Sequence, residues 1–186
     1  MLEGQELVDY FDSDLRVVEA FRRKDRKRIY QVERAGEFCV FKAYCPIKKP
    51  RKPNPNGFLR EARILERLTD VERVSHLLKD YGVKEGYAAF LKEFAAGIHL
   101  DDALRQGVTE EWAREQVTET LRQIHGRGVA GLALNCGDII VSPDFSKATI
   151  IDTGFGSFSE EYGGGDFERL KKEDFDRLEQ SLRYGI

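Results

Sequence analysis

The chain has 186 residues, 41% of them apolar and 34% charged. That is enough apolar material for one folded domain, or for two small lobes sharing a core, and it excludes a fully disordered chain. The net charge of −3 gives no whole-molecule argument for nucleic acid, and no run of about eighteen apolar residues is present to span a membrane. The opening MLEGQELVDYFDSD is acidic and lacks an apolar h-region, so it does not read as a signal peptide. Cys39, Cys45 and Cys136 cannot all pair, and they show no metal-binding spacing. A reducing, cytoplasmic setting is the expectation.

Charge is uneven along the chain. Residues 1–60 hold 14 Lys and Arg against 9 Asp and Glu; the remainder holds 16 against 24. Two clusters make the basic bias, RRKDRKR at 22–28 and KKPRK at 48–52. Such runs are either solvated loops or an edge that faces phosphates or an anionic partner.

In chain order, residues 16–22, 29–34 and 37–44 read as strands, rich in Val, Phe and Tyr. Ala35-Gly36 fits a tight hairpin turn between the last two. PIKKPRKPNPNG holds four of the five prolines and reads as a loop. A helix is predicted over 58–68, with Phe58, Ala62, Leu65 and Leu68 on one face. Strands follow near 77–83 and at 87–94. Residues 109–127 give a clear helix, with Thr109 as N-cap, Glu110 and Glu111 in the first turn, and Gly126 and Gly128 at its end. A hairpin of 138–142 and 147–152 turns around Pro143-Asp144. Residues 166–183 give a last amphipathic helix, with Phe175, Leu178 and Leu182 inward. Strands, one helix, more strands and then mostly helices spell an α+β chain in two lobes with a boundary near 94–97.

Within this order, several residues carry chemistry. Lys42 sits in an apolar strand, Val40-Phe41-Lys42-Ala43, where a buried ammonium needs a partner. Glu61 lies nineteen residues later on the predicted helix. Asp138 and Asp152 stand at the same end of the second hairpin, where two hard oxygen donors suit Mg²⁺ beside phosphate oxygens. LKEFAAGIHLDDAL (91–104) is an apolar strand, a connector of small residues and a helix start.

These segments resemble the protein kinase-like superfamily over roughly residues 16–180. VFKAY is similar to its strand-lysine motif, LREARILERL to the helix carrying the partner glutamate and LKEFAAG to the hinge. IHGRGVAGLALNCGDIIV is similar to the catalytic-loop region, and IIDTGFG to the metal-binding DFG segment. The resemblance implies a single two-lobed domain over 1–186. An antiparallel-sheet N-lobe with one main helix covers about 1–94, a hinge about 93–97, and a reduced, mostly helical C-lobe about 98–186. It implies ATP and Mg²⁺ as cofactors. Lys42 would face the α/β-phosphates, Glu61 would orient Lys42, Asp152 and Asp138 would hold Mg²⁺, and backbone groups of Glu93 and Ala95 would meet adenine. The short C-terminal part is most like the minimal atypical kinases: RIO kinases, the small kinase of the KEOPS tRNA-modification complex, and the lipopolysaccharide core sugar kinases. Asp174 or Asp176 would brace the catalytic loop.

The chain departs from the pattern where the chemistry is done. The catalytic-loop Asp position is Ala133, which can neither orient an acceptor hydroxyl nor take its proton. The neighbouring Lys position is Asn135, position 153 is Thr rather than Phe, and Lys92 stands where an apolar residue backs the adenine. RRKDRKR replaces a Gly-rich phosphate loop. The expected function is therefore a kinase-fold protein that binds ATP with Mg²⁺ and has weak or no phosphotransfer. The alternatives are an active atypical kinase, acting on protein Ser/Thr or a sugar of an anionic glycolipid, and an interaction module without nucleotide that uses the basic loops. His76, His99 and His125 read as structural, Trp112 as packing and Cys136 as a small buried residue. Ser157 and Ser159 fall in an activation-like segment.

Overall fold

The computed structural model describes residues 2–22, 27–45 and 55–184. The chain divides into two units, Met1–Ala62 with His76–Phe94, and Arg63–Ser75 with Ala95–Ile186. Among the described residues there are five α-helices and a five-stranded antiparallel sheet, an α+β architecture.

The first unit opens with α1 (Gly4–Phe11), followed by β1 (Arg16–Arg22), β2 (Lys27–Arg34) and β3 (Glu37–Tyr44). Ala35 and Gly36 join β2 to β3 with φ of 51° and 88°, the left-handed pair that a two-residue hairpin requires. Helix α2 (Pro55–Arg67) comes next, then the hairpin of β4 (Leu77–Lys84) and β5 (Tyr87–Glu93). The sheet order is β1-β2-β3-β5-β4, and every neighbouring pair is antiparallel. Period-2 alternation places Tyr30, Val32, Cys39, Phe41, Ala43, Ala89 and Leu91 in one apolar cluster with Leu7 and Val8 of α1.

Helix α1 is absent from the elements expected from sequence. The acidic character of residues 1–14 hides an apolar set, Leu7, Val8 and Phe11, that falls on one helical face. Local bonds tie it down. The Gly4 N–H donates to Tyr30 Oη (3.0 Å), Gln5 Nε2 donates to the Leu15 carbonyl (2.7 Å), and Gln5 Oε1 accepts from the Val17 N–H (2.7 Å). Helix α2 starts at Pro55, three residues earlier than the apolar periodicity marks it, because proline is compatible with a first helical turn. Its buried apolar residues are Ala62, Ile64 and Leu65, with Leu68 just beyond.

The second unit contains β6 (Ile98–His99), α3 (Leu100–Arg105), α4 (Glu110–Gly126), β7 (Val129–Ala130), β8 (Ile139–Val141), β9 (Ala148–Ile150), β10 (Ser157–Phe158) and α5 (Gly164–Tyr184). Strands β6, β8 and β9 form one antiparallel sheet, and β7 pairs with β10. Thr109 Oγ1 caps α4 by accepting the Trp112 N–H (3.2 Å). Helices α4 and α5 pack together and share the Arg114–Glu179 bridge (2.6 Å). Residues 63–75, the end of α2 and the segment after it, belong to this unit, and residues 73–75 run beside β9. The Ile150 N–H donates to the Arg73 carbonyl (2.9 Å), and the Ser75 N–H donates to the Ile150 carbonyl (3.0 Å). Gly97 has φ of +146°, and a Cβ there would stand 1.9 Å from the Val141 carbonyl oxygen, so only glycine fits. Among the described residues, no helix is long and apolar enough to cross a membrane.

Candidate functional site

Three ionisable side chains meet inside the first unit. Lys42 lies on β3 with its Nζ 2.6 Å from Glu61 Oε1 on α2, and Lys92 on β5 places its Nζ 3.5 Å from the same oxygen. Their residue exposures are 4%, 2% and 3%. The placement follows from the strand period. Cys39, Phe41 and Ala43 fill the face toward α1, so Phe38, Val40 and Lys42 line the other face of β3. Lys92 sits opposite Val40, diagonal to Lys42 on the neighbouring strand. Taking three charges out of water is costly unless they pair, and here one carboxylate serves two ammonium groups. The resemblance pairs Lys42 with Glu61, but Lys92 reaches Glu61 through the β3–β5 register, which sequence does not display.

The same sheet face carries aromatic side chains. Phe38 and Lys42 are four residues apart on β3, about 13 Å along a strand. The Phe38 ring lies edge-on to Phe94 (centroids 6.2 Å), and Phe21 of β1 is nearly parallel to Phe94 (6.4 Å, 12° between planes). Phe21 and Phe38 are both exposed. The face thus runs from flat apolar rings at one end to buried ammonium groups at the other. Nothing in the spacing of Phe21, Phe38 and Phe94 marks them as neighbours.

In the second unit, residues 131–138 form a loop organised by Asp174 of α5. The fully buried Asp174 carboxylate accepts the Gly131 N–H (2.9 Å) and the Leu132 N–H (2.7 Å), and hydrogen-bonds His125 Nε2 (2.9 Å). Asp176 faces solvent instead and pairs with Lys172. Of the two aspartates read from sequence, Asp174 holds the loop. Ala133 has φ of 55°, a left-handed conformation uncommon for alanine. Its methyl group offers no polar atom to a substrate. Asn135 is used locally, its Oδ1 accepting the Gly137 N–H and its Nδ2 donating to Asp138 Oδ2 (2.8 and 2.6 Å).

Asp138 and Asp152 stand at one end of the β8–β9 hairpin, linked through the Ile151 N–H, which donates to the Asp138 carbonyl (2.8 Å). The Asp152 carboxylate accepts the Gly154 N–H (2.9 Å), and Asp138 Oδ2 accepts the Asn135 N–H (3.0 Å). Among the described residues there is no group of three or more His, Cys, Asp or Glu that could hold a metal. Two carboxylates are a donor set that fits Mg²⁺ only when phosphate and water complete its octahedron. Lys42 and Glu61 belong to the first unit, Asp138 and Asp152 to the second.

The remaining sequence-marked residues fall as follows. Glu93 is exposed; its N–H donates to the His76 carbonyl (2.9 Å), and its carboxylate lies 3.1 Å from His76 Nδ1. Ala95 is half-buried. Arg28 is turned inward, donating to Glu3 Oε1 (2.9 Å), so this member of the first basic cluster does not face an anionic partner. Residues 23–26 of that cluster, and all of 48–52, lie outside the described residues. Burial pushes the Cys136 thiol above its ordinary pKa, which leaves it a poor nucleophile. His99 is exposed and His125 buried, and Trp112 is half-buried beside a shallow cavity of about 300 Å³. Ser157 is buried, while Ser159 is half-buried with its Oγ donating to Glu160 (3.2 Å).

Comparison with known proteins finds neither a protein-family model nor a curated protein that matches the chain.

Proposed function

We propose that the chain is a kinase-like domain that binds ATP with Mg²⁺ and transfers phosphate weakly or not at all. The observation that carries this reading is the buried Lys42–Glu61 ion pair between a strand and the following helix (2.6 Å). A carboxylate that fixes an ammonium in a buried position leaves it preorganised for phosphate oxygens, which is how kinases hold α/β-phosphates. The sheet face bearing the pair also carries Phe21, Phe38 and Phe94, a surface suited to a flat apolar ring. A nucleotide has a ring at one end and phosphates at the other. Within the second unit, Asp152 and Asp138 are the carboxylates that would hold Mg²⁺.

Ala133 carries the other half of the reading. The group that takes the acceptor's proton is missing there, and such assistance is worth about 10²–10⁴-fold. Binding without efficient transfer is the expected behaviour. Thermal unfolding of the full chain with and without millimolar ATP and Mg²⁺ tests it. A ligand at 100 times its Kd adds about 2.7 kcal/mol, which a melt resolves. A Mg²⁺-dependent rise, reduced in Asp152→Ala, supports the reading; no rise overturns it and leaves an interaction module.

A further inference from the structure

The cavity of about 300 Å³ beside Trp112 lies wholly within the second unit. Its walls are Gln106, Gly107, Val108 and Thr109 between α3 and α4, Trp112 in the first turn of α4, and Phe145 at the tip of the β8–β9 hairpin. The tip is built to hold Phe145 where it stands. Its φ is 57°, a left-handed conformation that sterics disfavour for a bulky residue. Bonds on both sides enforce it. The Phe145 N–H donates to the Ser142 carbonyl (2.9 Å), and the Lys147 N–H donates to Ser142 Oγ (3.0 Å). Asp144 accepts the Ser142 hydroxyl (2.6 Å) and the Ser146 N–H (3.2 Å). Backbone strain that its surroundings over-determine collects where a side chain has a task. The Phe145 ring is 39% exposed and makes no ring contact among the described residues, so packing is not that task.

The chemistry of the walls narrows the ligand. No charged side chain lines the cavity, so neither a phosphate nor a metal ion has a partner there. A wholly apolar ligand would strip water from the polar groups and give them no bond in exchange. Among the described residues, the Gln106 amide group and the Trp112 indole N–H have no partner. Thr109 Oγ1 accepts the Trp112 backbone N–H and keeps its own proton to donate. Two aromatic residues beside these polar groups suit a molecule with an apolar face and a hydroxyl rim. A sugar ring has both. Its C–H groups lie against the negative face of an aromatic ring, and each of its hydroxyls donates and accepts. The volume stands at the low end for small-ligand cavities, room for one or two rings. We infer that this cavity binds an uncharged sugar, with Trp112 and Phe145 against the ring and Gln106 and Thr109 on its hydroxyls. The inference goes beyond the nucleotide reading and shares no residue with it.

Trp112 is the chain's single tryptophan, so intrinsic fluorescence reports this cavity directly. The full chain is titrated with methyl glucoside, methyl galactoside, N-acetylglucosamine and cellobiose, and separately with a polyproline peptide, because aromatic-lined grooves also take polyproline helices. A saturable change at millimolar concentration is expected with at least one sugar, and none with the peptide. Phe145→Gly relieves the left-handed strain. It is expected to melt no lower than the wild type and to bind that sugar about 2–10-fold more weakly, the size of one aromatic contact. Gln106→Ala is expected to weaken binding by about the same factor, through one lost hydrogen bond. A wild type that binds none of the sugars overturns the inference, and so does tighter binding of the peptide than of any sugar. Undiminished sugar affinity in Phe145→Gly overturns it as well. Should Phe145→Gly fail to fold, Gln106→Ala decides by the same criterion, since its side chain is exposed.

Discussion

Asp174 and His125, forty-nine residues apart, meet at 2.9 Å in the interior of the second unit, and the same carboxylate accepts two backbone N–H groups from the loop at 131–132. Asp174→Ala orphans the buried Leu132 N–H, the part-buried Gly131 N–H and His125 Nε2, so a loss on the order of 3–5 kcal/mol in urea unfolding is expected. Asp176→Ala removes only an exposed i,i+4 pair with Lys172 and should cost about 0.5 kcal/mol or less. Equal losses in the two variants would contradict the assignment of the loop brace to Asp174.

The shared carboxylate predicts an order of stabilities. Glu61→Ala leaves the Lys42 and Lys92 ammonium groups buried without the anion between them, a loss of about 3–5 kcal/mol. Lys42→Met leaves Glu61 still paired with Lys92 and should cost at least about 1 kcal/mol less. Chemical denaturation of the two variants measures the difference. A Lys42→Met protein less stable than Glu61→Ala would mean that Lys92 does not compensate Glu61.

Ala133 lies in the left-handed region, where glycine, Asp and Asn are better tolerated than alanine. Ala133→Gly should therefore stabilise the fold by up to about 1 kcal/mol. Ala133→Asp should fold as the wild type does. It should also raise ATP-dependent phosphate incorporation by about 10²–10⁴-fold, since it restores a proton acceptor. Radiolabelled phosphate transfer measures this. A wild type already as fast as Ala133→Asp would show that transfer does not run through position 133.

The Arg67 guanidinium bonds the Glu160 carboxylate and holds its pKa down to about 2, against an ordinary glutamate value of 4.5. A depressed folded pKa means that the folded state binds fewer protons than the unfolded state between those values. The stabilisation is therefore complete above about pH 5, and it is lost as the pH falls toward 2. Glu160→Gln keeps the contact of Arg67 with the Phe158 ring (4.5 Å) and removes only the charge. The stability difference between wild type and Glu160→Gln should be constant from pH 5 to 7 and vanish near pH 2. A difference that persists at pH 2 would rule out the ion pair as its source.

Local signals made much of the fold legible. Strand alternation around Val40 and Phe41, the Ala35-Gly36 turn and the Thr109 cap each act over a few residues, and the observed elements follow them within three residues. Helix α1 escaped because only three apolar residues, Leu7, Val8 and Phe11, bury it within an acidic stretch. The site was legible where the resemblance to a known motif order pairs residues, as for Lys42 with Glu61. It was not legible where tertiary register does the pairing. Lys92 stood out only as a departure from a pattern, because its approach to Glu61 depends on the alignment of β5 with β3. Likewise, only the burial of one face of α5 separates Asp174 from Asp176.

The bonds from Arg73 and Ser75 to Ile150 make the second unit discontinuous along the chain. During synthesis, residues 73–75 leave the ribosome long before β9, the strand they bond, and a wide loop has to close before that pairing forms. A fragment beginning at residue 95 would expose the edge of β9 that residues 73–75 cover. No single cut in the chain can therefore release either unit intact.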